Sequence, residues 1–461
     1  MPAMAGLVVA CYGGSATRGG RKSSMTDEHQ SYRHLQRRLD RMPIGAPAHR
    51  ALFDILHELY TPEEAALAAS MPMRPAGART IARRAAVSET RAKELLEGML
   101  PKGIVVDIAR PDGRVAWFLN PAVIGFFEFT MMRVRDDIDQ KRVATLMWAY
   151  LREDPEHAFV HMLGEGPTFI ARPAVHEDAL SPESSSDILD WERASEMVET
   201  AASWAEGICH CRHVKKQIGQ GCEHPLDNCL SFGMAADYLV RAGIAKRIDK
   251  VRAMEVLEDS RRRDCVQMVD NVRRRPTFIC NCCSCCCEML EGMRVLGAAR
   301  HPVSSNHLAV IDDAACNGCG LCAKKCPVGA IELRPAARVP GGPKRKAAAH
   351  VDDRACLGCG VCRRQCKLDA LAMRRIPTRM HTPETQMEKL LLQAIERGKL
   401  SGMLFDDPSQ LSHRILGGVL GTILDLPPAK QLLARQQVRS RFVEMIGSGW
   451  KRSSAGWTAK L

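Results

Sequence analysis

Cys316-Asn317-Gly318-Cys319-Gly320-Leu321-Cys322-Ala323-Lys324-Lys325-Cys326-Pro327 and, forty residues on, Cys356-Leu357-Gly358-Cys359-Gly360-Val361-Cys362-Arg363-Arg364-Gln365-Cys366-Lys367 are two copies of one pattern. Each copy follows a pair of aspartates, Asp312-Asp313 and Asp352-Asp353, and each is followed by an alanine, Ala330 and Ala370, that opens an apolar stretch. Three thiols at intervals of three residues let a tight loop wrap one face of a metal centre. Gly318, Gly320, Gly358 and Gly360 permit the turns this needs, and the loop's amides can point at an anionic cluster. Zinc sites do not usually present C-x2-C-x2-C plus a fourth thiol, so four zinc-type pairs is the weaker reading.

The repeat resembles the bacterial two-[4Fe–4S] ferredoxins over residues 308–375, a small part of the chain. In that family the fourth cysteine of each run ligates the other cluster. The resemblance therefore implies one cluster on Cys316, Cys319, Cys322 and Cys366, and another on Cys356, Cys359, Cys362 and Cys326. Two departures stand out. Lys367 replaces the usual second proline, and a basic, Pro/Gly-rich insertion, 339–346, separates the halves. Neither removes a ligand, so both bear on potential and docking.

Nineteen of the twenty cysteines lie between Cys209 and Cys366. Packed this closely they would make strained disulfides, whereas thiolates around metals use such spacings readily. A reducing, cytoplasmic compartment is the expectation. Outside the repeat, the 206–307 region carries Cys209, Cys211, Cys222, Cys229, Cys280, Cys282, Cys283, Cys285, Cys286 and Cys287. Adjacent cysteines project differently, so these cannot all grip one small ion. They suit two centres or one larger cluster: additional Fe–S cluster(s), zinc, or redox-active dithiols. His210, His213 and His224 are within reach of ligation, although a histidine beside a metal loop more often supports the ligands or faces solvent. Cys11 and Cys265 stand apart and read as structural or incidental. The Cys-Cys pairs distantly resemble the Cys-Cys-Gly motif of heterodisulfide-reductase-type sites, but no glycine follows either pair.

The rest of the 461-residue chain divides by composition. Residues 1–44 form a flexible or helical tail, with Met25 an alternative start. Leu7 to Cys11 faintly suggests a lipoprotein box but lacks a basic flank and a long enough apolar run. Across 45–135, helical patterns from Arg50, from Pro62 and over 79–86 lead to a helix at 89–100, with Ser88 as N-cap and Ala92, Leu95, Leu96 and Met99 as its apolar stripe. Strands at 104–108 and 115–119 follow, joined by Pro111-Asp112-Gly113. Three helices and a hairpin in this order resemble a winged-helix domain. Residues 136–205 read as a helical connector, 206–307 as a cysteine-rich helical middle, and 376–461 as a helical C-terminal region. No stretch approaches a membrane span; 415–424 is short and broken by glycine. The fold class is thus multidomain α+β. The whole order, from winged-helix-like start through the C-N-C-C-S-C-C-C block to a ferredoxin-like end, is similar to a family of bacterial iron–sulfur proteins, a resemblance that supplies no substrate.

Three functional classes fit. The first is a one-electron relay, with Lys324, Lys325, Arg363, Arg364 and Lys367 offering a basic dock to an acidic redox protein or oxidoreductase subunit. The second is an Fe–S redox sensor that binds DNA, which the net charge of +12 permits. Glu94 and Glu97 at the centre of the would-be recognition surface count against it, with Arg79, Arg83, Arg84, Arg110 and Arg114 offsetting them only in part. The third is an oxidoreductase whose catalytic cluster sits in the cysteine-rich region. No nucleotide-phosphate loop or dinucleotide fingerprint is evident.

Overall fold

The computed structural model describes residues 22–109, 112–153, 167–181, 188–296, 304–336, 345–377, 379–406 and 415. Cys11, Met1, Arg110, Pro111 and the expected helices at 410–424 and 429–446 lie, wholly or almost wholly, outside these residues, as does most of the 339–346 insertion.

The N-terminal part begins with α1 (Lys22–Asp40), α2 (Arg50–Leu59), α3 (Pro62–Ser70), α4 (Ala78–Ala85) and α5 (Glu89–Met99), then the hairpin β1 (Val105–Ala109) and β2 (Val115–Leu119). Local chemistry explains the boundaries. Thr61 and Glu64 close a capping box at the start of α3, and Pro62 occupies the position where a missing N–H costs nothing. The Ser88 hydroxyl accepts from Arg91 N–H to start α5, which buries Ala92, Leu95, Leu96 and Met99. β1 and β2 pair antiparallel, Val105 opposite Leu119.

The next region departs from the helical expectation. After α6 (Phe127–Met131) and α7 (Gln140–Arg152), the chain builds a six-stranded, wholly antiparallel sheet. Its strands are β3 (Ala171–Pro173), β4 (Trp204–Ile208), β5 (Asp227–Phe232), β6 (Lys246–Ile248), β7 (Val266–Asp270) and β8 (Phe278–Cys282), in the order β3-β7-β8-β5-β4-β6. The connector and the cysteine-rich middle are therefore one sheet with helices on it. Those helices are α8 (Ala194–Thr200), α9 (His210–Gln217), α10 (Gly233–Arg241), α11 (Lys250–Arg262) and α12 (Glu288–Leu296). The strands escape a pattern reading because they are short and most lack a regular alternation of buried and exposed residues. β7 is buried at every position, including Gln267 and Asp270. β5 and β8 carry Asn228 and Asn281, whose side chains bond each other's backbone carbonyls at 3.3 and 2.7 Å. Burying an amide costs stability unless it is satisfied; here both Nδ2 groups are paired, while both Oδ1 atoms are buried with no partner among the described residues.

Alternation along β8 sorts function from packing. Ile279 packs with Val198, Val256 and Leu257 under α8 and α11. Cys280 and Cys282 project to the other face and join the large core that begins at Tyr32. The N-terminal part is thus no tethered module. Asp107 on β1 takes a bidentate ion pair from Arg241 on α10 at 2.8 and 2.9 Å. Trp148 on α7 carries the Arg152 guanidinium on its ring at 3.3 Å and the Lys215 ammonium at 3.6 Å, and Arg152 pairs with Glu288, next to Cys287, at 2.7 Å.

Beyond the sheet come β9 (His307–Ile311), α13 (Leu321–Lys325), β10 (Ile331–Pro335), β11 (Ala347–Val351) and β12 (Leu371–Arg375). β9 pairs with β12 and β10 with β11, both antiparallel. Pairing the first strand with the last interleaves the two halves of the repeat. Two C-terminal helices, α14 (Gln386–Glu396) and α15 (Leu400–Leu404), return to the body. Lys389 of α14 pairs with the fully buried Asp270, and Asp406 pairs with Arg84 of α4 at 3.3 Å. Among the described residues, no helix is long and apolar enough to cross a membrane.

Candidate metal centres

The interleaving decides where the repeat's thiols go. Cys326 precedes β10, whose partner β11 leads into the second run. Cys366 precedes β12, whose partner β9 leads into the first. Each fourth cysteine is therefore delivered to the other half. One cavity is lined by Cys326, Cys356, Cys359 and Cys362, with Pro327, Val328, Ile331 and Met373 around them. A second, open to solvent, is lined by Cys316, Cys319, Cys322 and Cys366. The sets the family resemblance implies are the sets these cavities gather.

The chemistry of the first cavity suits a thiolate-held iron–sulfur cluster. Burial pushes the Cys359 thiol up to about 12 and raises Cys362 well above the ordinary range, with the neighbouring thiols adding to the burial. Thiols held protonated in this way give up protons when a metal centre arrives. Backbone amides already point at sulfur: Ala330 N–H donates to Cys326 Sγ at 3.2 Å, and Gly358 and Val361 donate to Cys356 and Cys359. The loops approach neighbouring backbone so closely that a Cβ at Gly318 would sit 2.0 Å from Ala347 O, and one at Gly358 2.2 Å from His307 O. The first run is open at Cys319, whereas Cys359 and Cys362 are buried.

The ten other thiols fall into two groups. In the deeper one, Cys209 hydrogen-bonds Cys211, Cys211 meets Cys287, Cys287 meets Cys282, and Cys280 bonds Cys229, its neighbour across the β5–β8 pair. Hydrogen bonds donated to Cys211 and Cys229, then burial, push Cys209 and Cys280 well above the usual thiol range. The second group joins Cys222, Cys283, Cys285 and Cys286. Cys286 first, then Arg212, holds the Cys283 thiol well below its ordinary value.

Two residues carry more than their sequence context stated. Cys265, read there as structural or incidental, is buried against Cys283 and Cys286. Arg212, which drew no notice, is fully buried and donates to Cys283 Sγ at 3.3 Å, Cys265 Sγ at 3.5 Å, Pro225 O at 2.7 Å and Asn281 O at 2.6 Å. Its place in Cys209-His210-Cys211-Arg212 was the available signal. Of the three histidines, His213 spends its ring on Met131 O and Gln217, and His210 is buried with Phe127 backbone as its partner. Only His224 reaches a thiol, Cys222 Sγ at 3.6 Å.

The basic patch is largely consumed within the chain. Lys325 pairs with Asp264 at 2.8 Å, Arg363 with Asp369 at 2.6 Å, and Arg364 bonds Arg261 O and lies 3.7 Å from Asp178. These contacts, with Gln365 Nε2 donating to Asp264 at 3.0 Å, seat the repeat on the sheet region. His176 completes the seat. It is fully buried, its N–H donates to Cys359 O at 2.9 Å, and its Nε2 donates to Cys265 O at 2.9 Å.

Residues 315–370 match the family model of the 4Fe-4S dicluster domain. No curated protein matches the chain, and no solved structure does. The chain carries an iron–sulfur cluster-binding domain, and its two thiol-lined cavities fit that chemistry.

Proposed function

We propose that the protein is a one-electron relay holding two [4Fe–4S] clusters, one on Cys316, Cys319, Cys322 and Cys366 and the other on Cys356, Cys359, Cys362 and Cys326. The clusters would supply reversible one-electron chemistry. The chain's own residues set the direction. The observation that carries the reading is the gradient of exposure: the first set opens to solvent at Cys319, and the second is buried and hydrogen-bonded through His176 to Cys265. The Cys362 thiol also feels Cys322 of the other set, so the two cavities are neighbours.

On this reading Cys316, Cys319, Cys322 and Cys366 would hold the cluster at the exposed edge and Cys356, Cys359, Cys362 and Cys326 the buried one. Cys209, Cys211, Cys229, Cys280, Cys282 and Cys287 would hold a further thiolate-bound redox centre. Together these groups would supply the one-electron chemistry of the relay. The entry face is framed by the exposed Leu321 and Leu368 with Lys324 and Lys367, a smaller dock than five free cations would make. A partner there is recognised by apolar contact plus modest charge attraction.

DNA reading gains little support. On α5, Arg91 is tied to Glu63 and Glu94 at 2.6 and 2.8 Å and Lys93 to Glu89 at 3.5 Å, so the cations nearest a groove are already neutralised. The winged-helix-like part acts instead as a wall of the cysteine core, to which it contributes by direct packing.

Stopped-flow mixing of the anaerobic full chain with a reduced low-potential carrier tests the relay. Cluster absorbance should bleach in one-electron steps, and Lys324→Glu, at an exposed side chain outside the cavity linings, should slow the bimolecular phase while leaving cluster content unchanged. Clusters that stay oxidised with every one-electron donor would overturn it.

A further inference from the structure

The second thiol group has a geometry of its own. Cys222 Sγ lies 3.9 Å from Cys283 Sγ and 3.6 Å from His224 Nδ1. With Cys285 Sγ added, all four donor atoms lie within 4.8 Å of one another. A tetrahedral zinc ion, with bonds of about 2.3 Å to sulfur and about 2.0 Å to nitrogen, spaces its sulfurs about 3.8 Å apart and holds nitrogen about 3.5 Å from sulfur. A cubane sets each thiolate on a different iron, at the corners of a larger tetrahedron. Donors this close surround one ion.

Two further observations point to the same occupant. His224 Nε2–H donates to Arg263 O at 3.2 Å, leaving Nδ1 with its lone pair directed at the thiols. A ligating histidine is ordinarily oriented in this way by a bond from its second nitrogen. Arg212 is buried, and every partner it has at hydrogen-bond distance among the described residues is a carbonyl or a cysteine sulfur. A buried guanidinium needs a negative counterpart. Three thiolates and one histidine around a divalent cation carry a net single negative charge, which Arg212 balances through Cys283.

We propose that Cys222, His224, Cys283 and Cys285 bind one zinc ion in a closed, structural site. Cys286 stands behind it as a neutral thiol donating to Cys283, and Cys265 shares Arg212. Binding releases to solvent whatever protons the three thiols still hold and changes no oxidation state. The site is independent of the relay. Its consequence is positional: through His224 it fixes the Arg263 carbonyl, and the next residue, Asp264, receives Lys325 and Gln365 from the dicluster domain. Zinc therefore stiffens the seat on which the clusters dock.

The test is elemental analysis of anaerobically purified full-length protein for zinc, iron and acid-labile sulfide, with cobalt(II) exchange. One zinc per chain is expected, and cobalt in its place should show the intense visible bands of a tetrahedral thiolate site. Cys222→Ser should lose that zinc with iron and sulfide unchanged. His224→Gln should weaken zinc retention at least tenfold against a chromophoric chelator. Should Cys222→Ser fail to fold, the cobalt spectrum of the unmodified protein and His224→Gln decide. Protein that neither contains nor takes up zinc, cobalt without tetrahedral bands, or loss of iron and sulfide from Cys222→Ser would overturn the proposal. Failure of the relay would show instead as clusters that do not accept single electrons.

Discussion

Cys366→Ser is expected to abolish the centre of the first run while sparing that of the second, and Cys326→Ser to do the reverse. Each substitution acts across the repeat because β9 pairs with β12 and β10 with β11, which places each run's last cysteine at the other run's loop. A serine oxygen is a harder, more weakly held ligand for iron than thiolate. Electron paramagnetic resonance of the reduced variants, with iron and sulfide analysis, reads the outcome. The Cys366→Ser protein should retain about half the dicluster iron and lose the signal of the solvent-exposed cluster. Loss of the buried cluster's signal with the exposed one intact would show that each run supplies its own four ligands.

Gly358→Ala should be nearly as damaging without touching a ligand. Gly358 has φ +69, and an added Cβ would meet His307 O at 2.2 Å and Ser305 Oγ at 2.5 Å. The left-handed backbone alone costs a non-glycine residue roughly 1–2 kcal/mol. The collision adds more, since His307 belongs to β9 and Ser305 is anchored to Gly358 O at 2.6 Å. The loop must shift, carrying Cys356 and Cys359 with it. Gly329→Ala is the control, with φ +71 and open space around it. Gly329→Ala should assemble both clusters with a modest fall in melting temperature, whereas Gly358→Ala should lose most of the buried cluster. Equal cluster content in the two would mean that the close approach at Gly358 carries no weight.

The parts of this architecture that were legible in sequence share a property: their signal is local. A three-residue cysteine spacing, a Ser88 cap and the Ala92–Met99 stripe are each written within a dozen residues. The six-stranded sheet was not legible, because its strands hide the period-two pattern that betrays a half-exposed sheet. β7 is buried on both faces, and β5 and β8 spend positions on Asn228, Cys229, Cys280 and Asn281. The ten thiols were legible as a set, but not as two groups. Their division depends on which face of β8 each residue takes and on the path of 220–224, neither written in spacing. The pairing of the basic patch was hidden for a related reason: Asp264 lies 61 residues before Lys325, and Asp178 lies well over one hundred residues before Arg364.

The central claim is that two clusters, each exchanging one electron, lie side by side in one domain. Potentiometric titration of the full chain, followed by electron paramagnetic resonance, tests it most directly. The account predicts two [4Fe–4S] signals that appear in successive one-electron steps and broaden each other when both are reduced, as neighbouring spins do. A single cluster signal that titrates alone, with the iron and sulfide of one cubane across residues 316–366, would contradict it.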